Sequence, residues 1–164
     1  MPKVLRIINR FNLGGPTYNV TYLSKYMSPE FDTLLVGGKI SENEGSSDYI
    51  VKKHGLHPII IREMQRPINY KNDYIAYQKI KSIIKRWQPD IVHTHASKAG
   101  VIGRIAARNM KVPVTLHTFH GHVFHSYFNK TKTTVFKRIE RNLARKTSKI
   151  IAISDIQKCE LTEE

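Results

Sequence analysis

The stretch PDIVHTHASKAGVIGRIAARNMKVPVTLHTFHGHVFH, residues 89–125, decides how this chain is read. Asp90 to Thr94 is a short β-branched run bounded by Pro89, the pattern of a buried strand. Ser97 is suited to cap a helix on which Val101, Ile102, Ile105 and Ala106 share one face. Pro113 opens another strand, which delivers His117, Thr118 and His120 to the loop beyond it. Six of the eight histidines fall in this segment, at the ends of its two strands. In an open parallel sheet, ligands bind beyond the carboxyl ends of the strands. An active-site cleft is therefore the first expectation.

Working outward, strand and helix keep alternating. Lys3 to Asn9 reads as a first strand, nearly continuous in Val4, Leu5, Ile7 and Ile8, as a strand covered on both faces is. A Gly14-Gly15-Pro16 turn follows, with Pro16 suited to the first helical position. Val20, Leu23 and Met27 then recur at helical spacing up to Ser28-Pro29. Thr33 to Val36 is a second strand, closed by Gly37-Gly38. A polar loop from Ser41 to Asp48, with Glu42 and Glu44, leads to a short helix ending near Gly55. His57 to Ile61 is a third strand. Tyr70 to Trp87 is a long helix with Ala76, Ile80, Ile83, Ile84 and Trp87 on one face. Its other face carries Lys71, Lys79, Lys81, Lys85 and Arg86. No period is clear from Phe124 to Lys130. A basic helix from Thr131 to Thr147, a sixth strand from Lys149 to Ile153 and a Ser154-capped helix complete the pattern. Repeated β-α units with short turns specify a doubly wound α/β domain on a parallel sheet.

At 164 residues the chain has the size of one domain, residues 1–164, large enough to bury a core. No apolar run approaches the ~20 residues of a membrane span. The opening MPKVLRIINRFN lacks a small-residue cleavage site and reads as a strand rather than a signal peptide. Cys159 is the single cysteine, which excludes an intramolecular disulfide and suits the cytosol. Charge is the unusual bulk property: 27 Lys and Arg against 13 Asp and Glu, a formal +14. Such a field favours polyanionic partners, although most single charges of this kind only solvate a helix face.

Four blocks carry a family resemblance: the Gly14-Gly15-Pro16 turn, PDIVHTHASKAG at 89–100, PVTLHTFHG at 113–121 and IIAISDIQKCEL at 150–161. In this order and at this spacing they resemble family 4 glycosyltransferases, over essentially the whole chain. The resemblance implies the N-terminal domain of a GT-B fold, in which two Rossmann-like domains face each other across a cleft. The N-terminal domain would bind the acceptor and the C-terminal domain the nucleotide-sugar donor. It also implies a retaining transfer with no metal and no cofactor beyond the nucleotide-sugar co-substrate. The donor-binding domain, with its Glu-x7-Glu motif, has no counterpart in this sequence. The chain is thus expected to be the N-terminal half of a longer enzyme, inactive alone. That enzyme would build a bacterial cell-surface polysaccharide or glycolipid, in the cytoplasm or peripherally on the inner face of the cell membrane.

Gly14 and Gly15 join a strand to a helix start, where glycine admits a ligand close to the backbone and free N–H groups favour an anion. A tight turn needing positive φ would use the same residues. The resemblance implies that this loop approaches the donor's diphosphate. It matches His120, in Thr118-Phe119-His120-Gly121, to the family's active-site histidine, in contact with the transferred sugar or the acceptor hydroxyl. A neutral imidazole there accepts a hydrogen bond or orients a hydroxyl. His117 is the rival, since a slip of three residues exchanges the two. His93 and His95 alternate and so share a sheet face, where they would line the acceptor pocket or serve as satisfied structural groups. Lys98, in the first turn of the following helix, would meet an acidic acceptor group or be solvated.

His117, His120, His122 and His125 invite a metal. However, no Asp or Glu lies between Asp90 and Glu140 to orient such ligands, so no metal is expected. The last long helix carries Lys132, Lys137, Arg138, Arg141, Arg145 and Lys146 against Glu140, with Phe136, Ile139 and Leu143 partly opposite. Together with the Lys71 to Arg86 face it would adhere to anionic lipid at about 1 kcal/mol per basic residue, or form a solvent face. A nucleic-acid-binding module is the rival suggested by charge. No binding motif supports it, so no nucleic-acid partner is expected. A GT-B sugar-nucleotide epimerase is the third class, and it would need no acceptor.

Overall fold

The computed structural model describes residues 1–41, 44–121 and 130–163. Glu42, His122, His125 and residues 124–129 lie outside the described residues, so the readings made there are not addressed by it. The apolar runs form strands where their β-branched residues predict them. These are β1 (Lys3–Arg10), β2 (Asp32–Gly38), β3 (Ile59–Ile61), β4 (Ile91–His95), β5 (Val114–Thr118) and β6 (Lys149–Ile151). Between them lie α1 (Gly15–Tyr26), α2 (Asp48–Lys53), α3 (Tyr70–Trp87), α4 (Ser97–Asn109) and α5 (Lys130–Ala144), with α6 (Asp155–Glu163) after β6. The sheet is parallel throughout, in the order β3-β2-β1-β4-β5-β6. This is the doubly wound, Rossmann-like α/β architecture expected. Strand order reverses between β1 and β4, which opens a crevice at their carboxyl ends.

Strand periodicity divides the core in two. Leu5, Ile7, Val36, Ile61 and Val92 pack with Ala76, Ile80 and Ile84 of α3 and Ala99, Ile102 and Ala106 of α4 on one face. Ile8 and Leu35 point the other way and pack with Phe11, Val20 of α1 and Val51 of α2. Burying each Ile or Leu of these layers removes apolar surface worth about 1.5–3 kcal/mol. β3 is shorter than predicted because Pro58 has no N–H to give a ladder.

Two helices bury only part of the face their apolar spacing predicts, keeping Val20 in α1 and Ile102 and Ala106 in α4 but rotating the rest outward. In α1 the buried residues are Thr17, Val20, Thr21 and Ser24, while Leu23 and Met27 are only partly buried. Thr21 and Ser24 return their hydroxyls to the carbonyls of Thr17 and Val20 (2.7 Å each), so these small polar residues approach the sheet without an unmet donor. In α4 the inward residues are Ala99, Gly100, Ile102, Gly103, Arg104, Ala106 and Ala107, whereas Ile105 is 37% exposed. Ser97 is the first helical residue rather than the cap. Ala96 occupies the cap at φ 65°, with no side-chain cap bond. Ser154 does cap α6, accepting from the Gln157 N–H at 3.2 Å.

In α5 the buried residues include Glu140 and Leu143, while Ile139 lies 42% exposed. Glu140 therefore faces the interior, not the basic solvent face. Its carboxylate takes a hydrogen bond from Arg104 of α4 at 2.5 Å, and both side chains are almost fully buried. Burial raises the Glu140 pKa, and the neighbouring guanidinium opposes that rise.

Candidate active site

Parity along β4 and register across the sheet decide which histidines meet. Arg6 of β1 pairs in register with His93, and Ile8 with His95. Arg6, His93 and His95 therefore project on the α1 side. Arg6 is buried between the apolar pairs Val4-Leu5 and Ile7-Ile8 of its strand and has no carboxylate partner among the described residues. Its Nη1 lies 2.7 Å from His93 Nδ1 and its Nη2 2.9 Å from the Met27 sulfur. A guanidinium only donates, so His93 Nδ1 accepts and the ring proton sits on Nε2. That Nε2–H donates to the Thr118 hydroxyl at 2.8 Å. Burial first, and then the Arg6 charge, lower the His93 pKa to about 3; burial lowers that of Arg6 to about 10.

His95 closes β4 beside this pair, with its ring centroid 4.1 Å from that of His93. It reaches across to the second residue after β5: His95 Nδ1 lies 2.9 Å from His120 Nε2, and the rings stack at 5.2 Å. Burial pushes His120 down to about 4 and His95 well below the usual histidine range, with His93 next among the causes at His95. The three rings are therefore neutral at pH 7. His120 is the one that remains partly exposed.

His117 is separated from this group. It pairs in register with Thr94 and projects to the opposite face, beneath α4. It is fully buried there, and Thr94 lies 2.8 Å from its Nδ1. Burial, then Arg104, lower its pKa to about 2. The structure thus brings His93, His95 and His120 together and leaves His117 as a packing group. Lys98 also stands apart: its ammonium is held by the Pro67 carbonyl and by Asp73 at 2.6 Å, which neutralises the charge expected for an acidic ligand.

The glycine corner lies at the same sheet edge. Gly14, at φ 147°, and Gly15 follow β1, which is separated from β5 by β4 alone. Two strand spacings, about 10 Å, part the ends of β1 and β5. A Cβ on Gly15 would meet nothing within 4 Å. The Thr17 N–H turns back to Gly14 O at 3.2 Å and Pro16 has none, so the Gly15 N–H is the donor at the helix start. The approach to this corner is braced by Arg10, which grips Glu44 with both Nε and Nη2 (2.6 and 2.5 Å).

Arg6 escaped the sequence reading because hydrophobic periodicity passes over a single charge. The available signal was chemical, since a guanidinium inside an apolar strand must find a partner. Among the described residues no group of three or more His, Cys, Asp or Glu is placed to hold a metal ion. A cavity of about 880 Å³ lies elsewhere, between α5, β6 and α6, and none of the described histidines lines it.

Comparison with known proteins adds an independent line. The pattern of Glycosyltransferase Family 4 matches residues 14–164. Over 129 residues, 79% of this chain, the sequence is 32% identical to the UDP-Gal:alpha-D-GlcNAc-diphosphoundecaprenol alpha-1,3-galactosyltransferase of Escherichia coli. The matched part spans about a third of that relative, 32% of its length. Among solved structures, sucrose-phosphate synthase from Thermosynechococcus elongatus superposes with a TM-score of 0.74 at 14% identity, covering 99% of this chain and 45% of that one. The UDP-GlcNAc 2-epimerase of Neisseria meningitidis superposes at 0.66 with 12% identity, covering 98% and 42%. At such identities the superpositions speak to the fold alone. The sequence match runs from the glycine corner through the histidines to α6, and the chain belongs to glycosyltransferase family 4.

Proposed function

We propose that this chain is the N-terminal, acceptor-side domain of a GT-B glycosyltransferase that transfers a hexose from a nucleotide-sugar with retention. The observation that carries the reading is the joining of His120 to His95 at the sheet edge that also bears Gly14 and Gly15. A neutral, partly exposed imidazole suits contact with a sugar or acceptor hydroxyl, and the Gly15 corner at the start of α1 suits a diphosphate oxygen. A C-terminal domain would hold the rest of the donor. His93, with its proton committed to Thr118, would shape the pocket wall rather than touch substrate.

The E. coli relative is named for UDP-Gal and a diphosphoundecaprenol-linked acceptor. That supports a UDP-hexose donor and a lipid-diphosphate-linked sugar acceptor here, used from the cytoplasmic face of a membrane. No described helix is long and apolar enough to cross a membrane. The exposed Arg138, Arg145 and Lys146 at the end of α5 suit peripheral contact with anionic lipid.

The test is to supply the full-length enzyme with UDP-hexoses and a lipid-diphosphate-linked N-acetylhexosamine, without added metal, and to look for the disaccharide by mass spectrometry. An acceptor-dependent disaccharide with the donor's anomeric configuration is expected. Isomerised UDP-sugar formed without acceptor would replace this reading with an epimerase.

A further inference from the structure

We propose that His95 is a positioning residue which fixes His120 as the tautomer protonated on Nδ1, so that His120 meets its ligand as a hydrogen-bond donor and not as a base. The catalytic consequence rests on the sugar-transfer reading; the tautomer does not.

One proton lies between His95 Nδ1 and His120 Nε2, 2.9 Å apart, because both rings are neutral. If His120 supplied it, the proton of His95 would sit on its Nε2. That nitrogen is fully buried and has no partner among the described residues. A buried donor left unmet costs about 1–3 kcal/mol, and orphaned N–H groups are rarer in folded proteins than under-used acceptors. If His95 supplies the proton from Nδ1, its buried Nε2 carries only a lone pair.

The same molecule makes that choice at His117. The Thr94 hydroxyl gives its hydrogen to the Leu116 carbonyl at 3.3 Å, so it must accept from His117 Nδ1. His117 Nε2 is then bare, buried and unpartnered, as His95 Nε2 would be. With His95 donating, Nε2 of His120 is an acceptor and its Nδ1 carries the hydrogen. No hydrogen bond engages that Nδ1 among the described residues, which leaves an N–H to offer. Such a group binds an oxygen lone pair, of a hydroxyl or a phosphate of the nucleotide-sugar. It has no vacancy for an acceptor hydroxyl's proton.

Long-range ¹⁵N–¹H correlation spectra of the ¹⁵N-labelled protein at pH 7 read the tautomers directly. The expected result is His120 and His117 protonated on Nδ1, and His93 on Nε2 as the internal contrast. In the full-length enzyme, His95→Leu should lower kcat/KM by about 10–100-fold, the usual cost of losing an orienting partner. His95→Asn, whose amide N–H stands where Nδ1–H stood, should recover most of that loss. A His120 protonated on Nε2, or a folded His95→Leu enzyme with wild-type kcat/KM, overturns the proposal. If the leucine variant does not fold, the wild-type spectrum alone decides. A spectrum with Nδ1–H in an enzyme that transfers no sugar upholds the tautomer and removes the sugar-transfer reading instead.

Discussion

Gly100 of α4 lies flat against His117 of β5: a Cβ at position 100 would run into the imidazole Cε1 and stand 3.0 Å from Nδ1. Both partners are rigid, one a helix backbone and the other a ring held by Thr94. Gly100→Ala should therefore destabilise the fold by about 1–3 kcal/mol through overpacking, despite the better helix propensity of alanine. A lower urea midpoint with an unchanged slope is the expected record.

The depressed histidines make stability depend on pH in a definite direction. Unfolded histidine takes up protons below about pH 6.5, whereas folded His93 and His117 resist until about 3 and 2. Between those limits the unfolded state binds more protons. The stabilisation is thus full above about pH 6.5 and drains away as pH falls towards 3. Each such group contributes a slope of up to about 1.4 kcal/mol per pH unit. Urea midpoints at pH 7, 6 and 5 should fall steeply. His117→Asn should flatten the trend.

Gly14 and Gly15 should separate strain from ligand approach. Gly14→Ala forces φ 147° on an L-residue and should cost about 1–3 kcal/mol of stability. Gly15→Ala meets open space and should leave the thermal midpoint unchanged. In the full-length enzyme, Gly15→Ala should still raise the KM for the nucleotide-sugar, because the added methyl occupies the ligand's approach.

The Arg104–Glu140 pair crosses between α4 and α5 almost out of contact with water. Glu140→Ala leaves a buried guanidinium uncompensated and should cost about 3–5 kcal/mol, whereas the double variant Arg104→Met, Glu140→Leu should lie near wild type. Chemical denaturation of the wild type and these two variants checks both statements.

Much of this was legible in the residues. β4 and β5 stand out because β-branched runs follow Pro89 and Pro113, and parallel order follows from alternating elements. The pairing of His93 with His95 follows from strand parity. The inward faces of α1 and α4 were legible only in Val20, Ile102 and Ala106, because Thr17, Thr21, Ser24, Gly100 and Gly103 carry no apolar signal while allowing the closest approach. Nor was the choice between His117 and His120. Parity within β5 does not say which face α4 covers; only register with Thr94 does. Arg6 needed a partner from another strand, 87 residues away in sequence, before its role had meaning.

The central claim is that the imidazole beyond β5 and the glycine corner beyond β1 serve one sugar-transfer site. Steady-state turnover of full-length His120→Ala, beside a folding check by circular dichroism, tests it most directly. Loss of one polar contact to the reacting sugar should lower kcat by about 10²–10³-fold with the fold unchanged. Wild-type turnover in a folded His120→Ala enzyme would contradict the account.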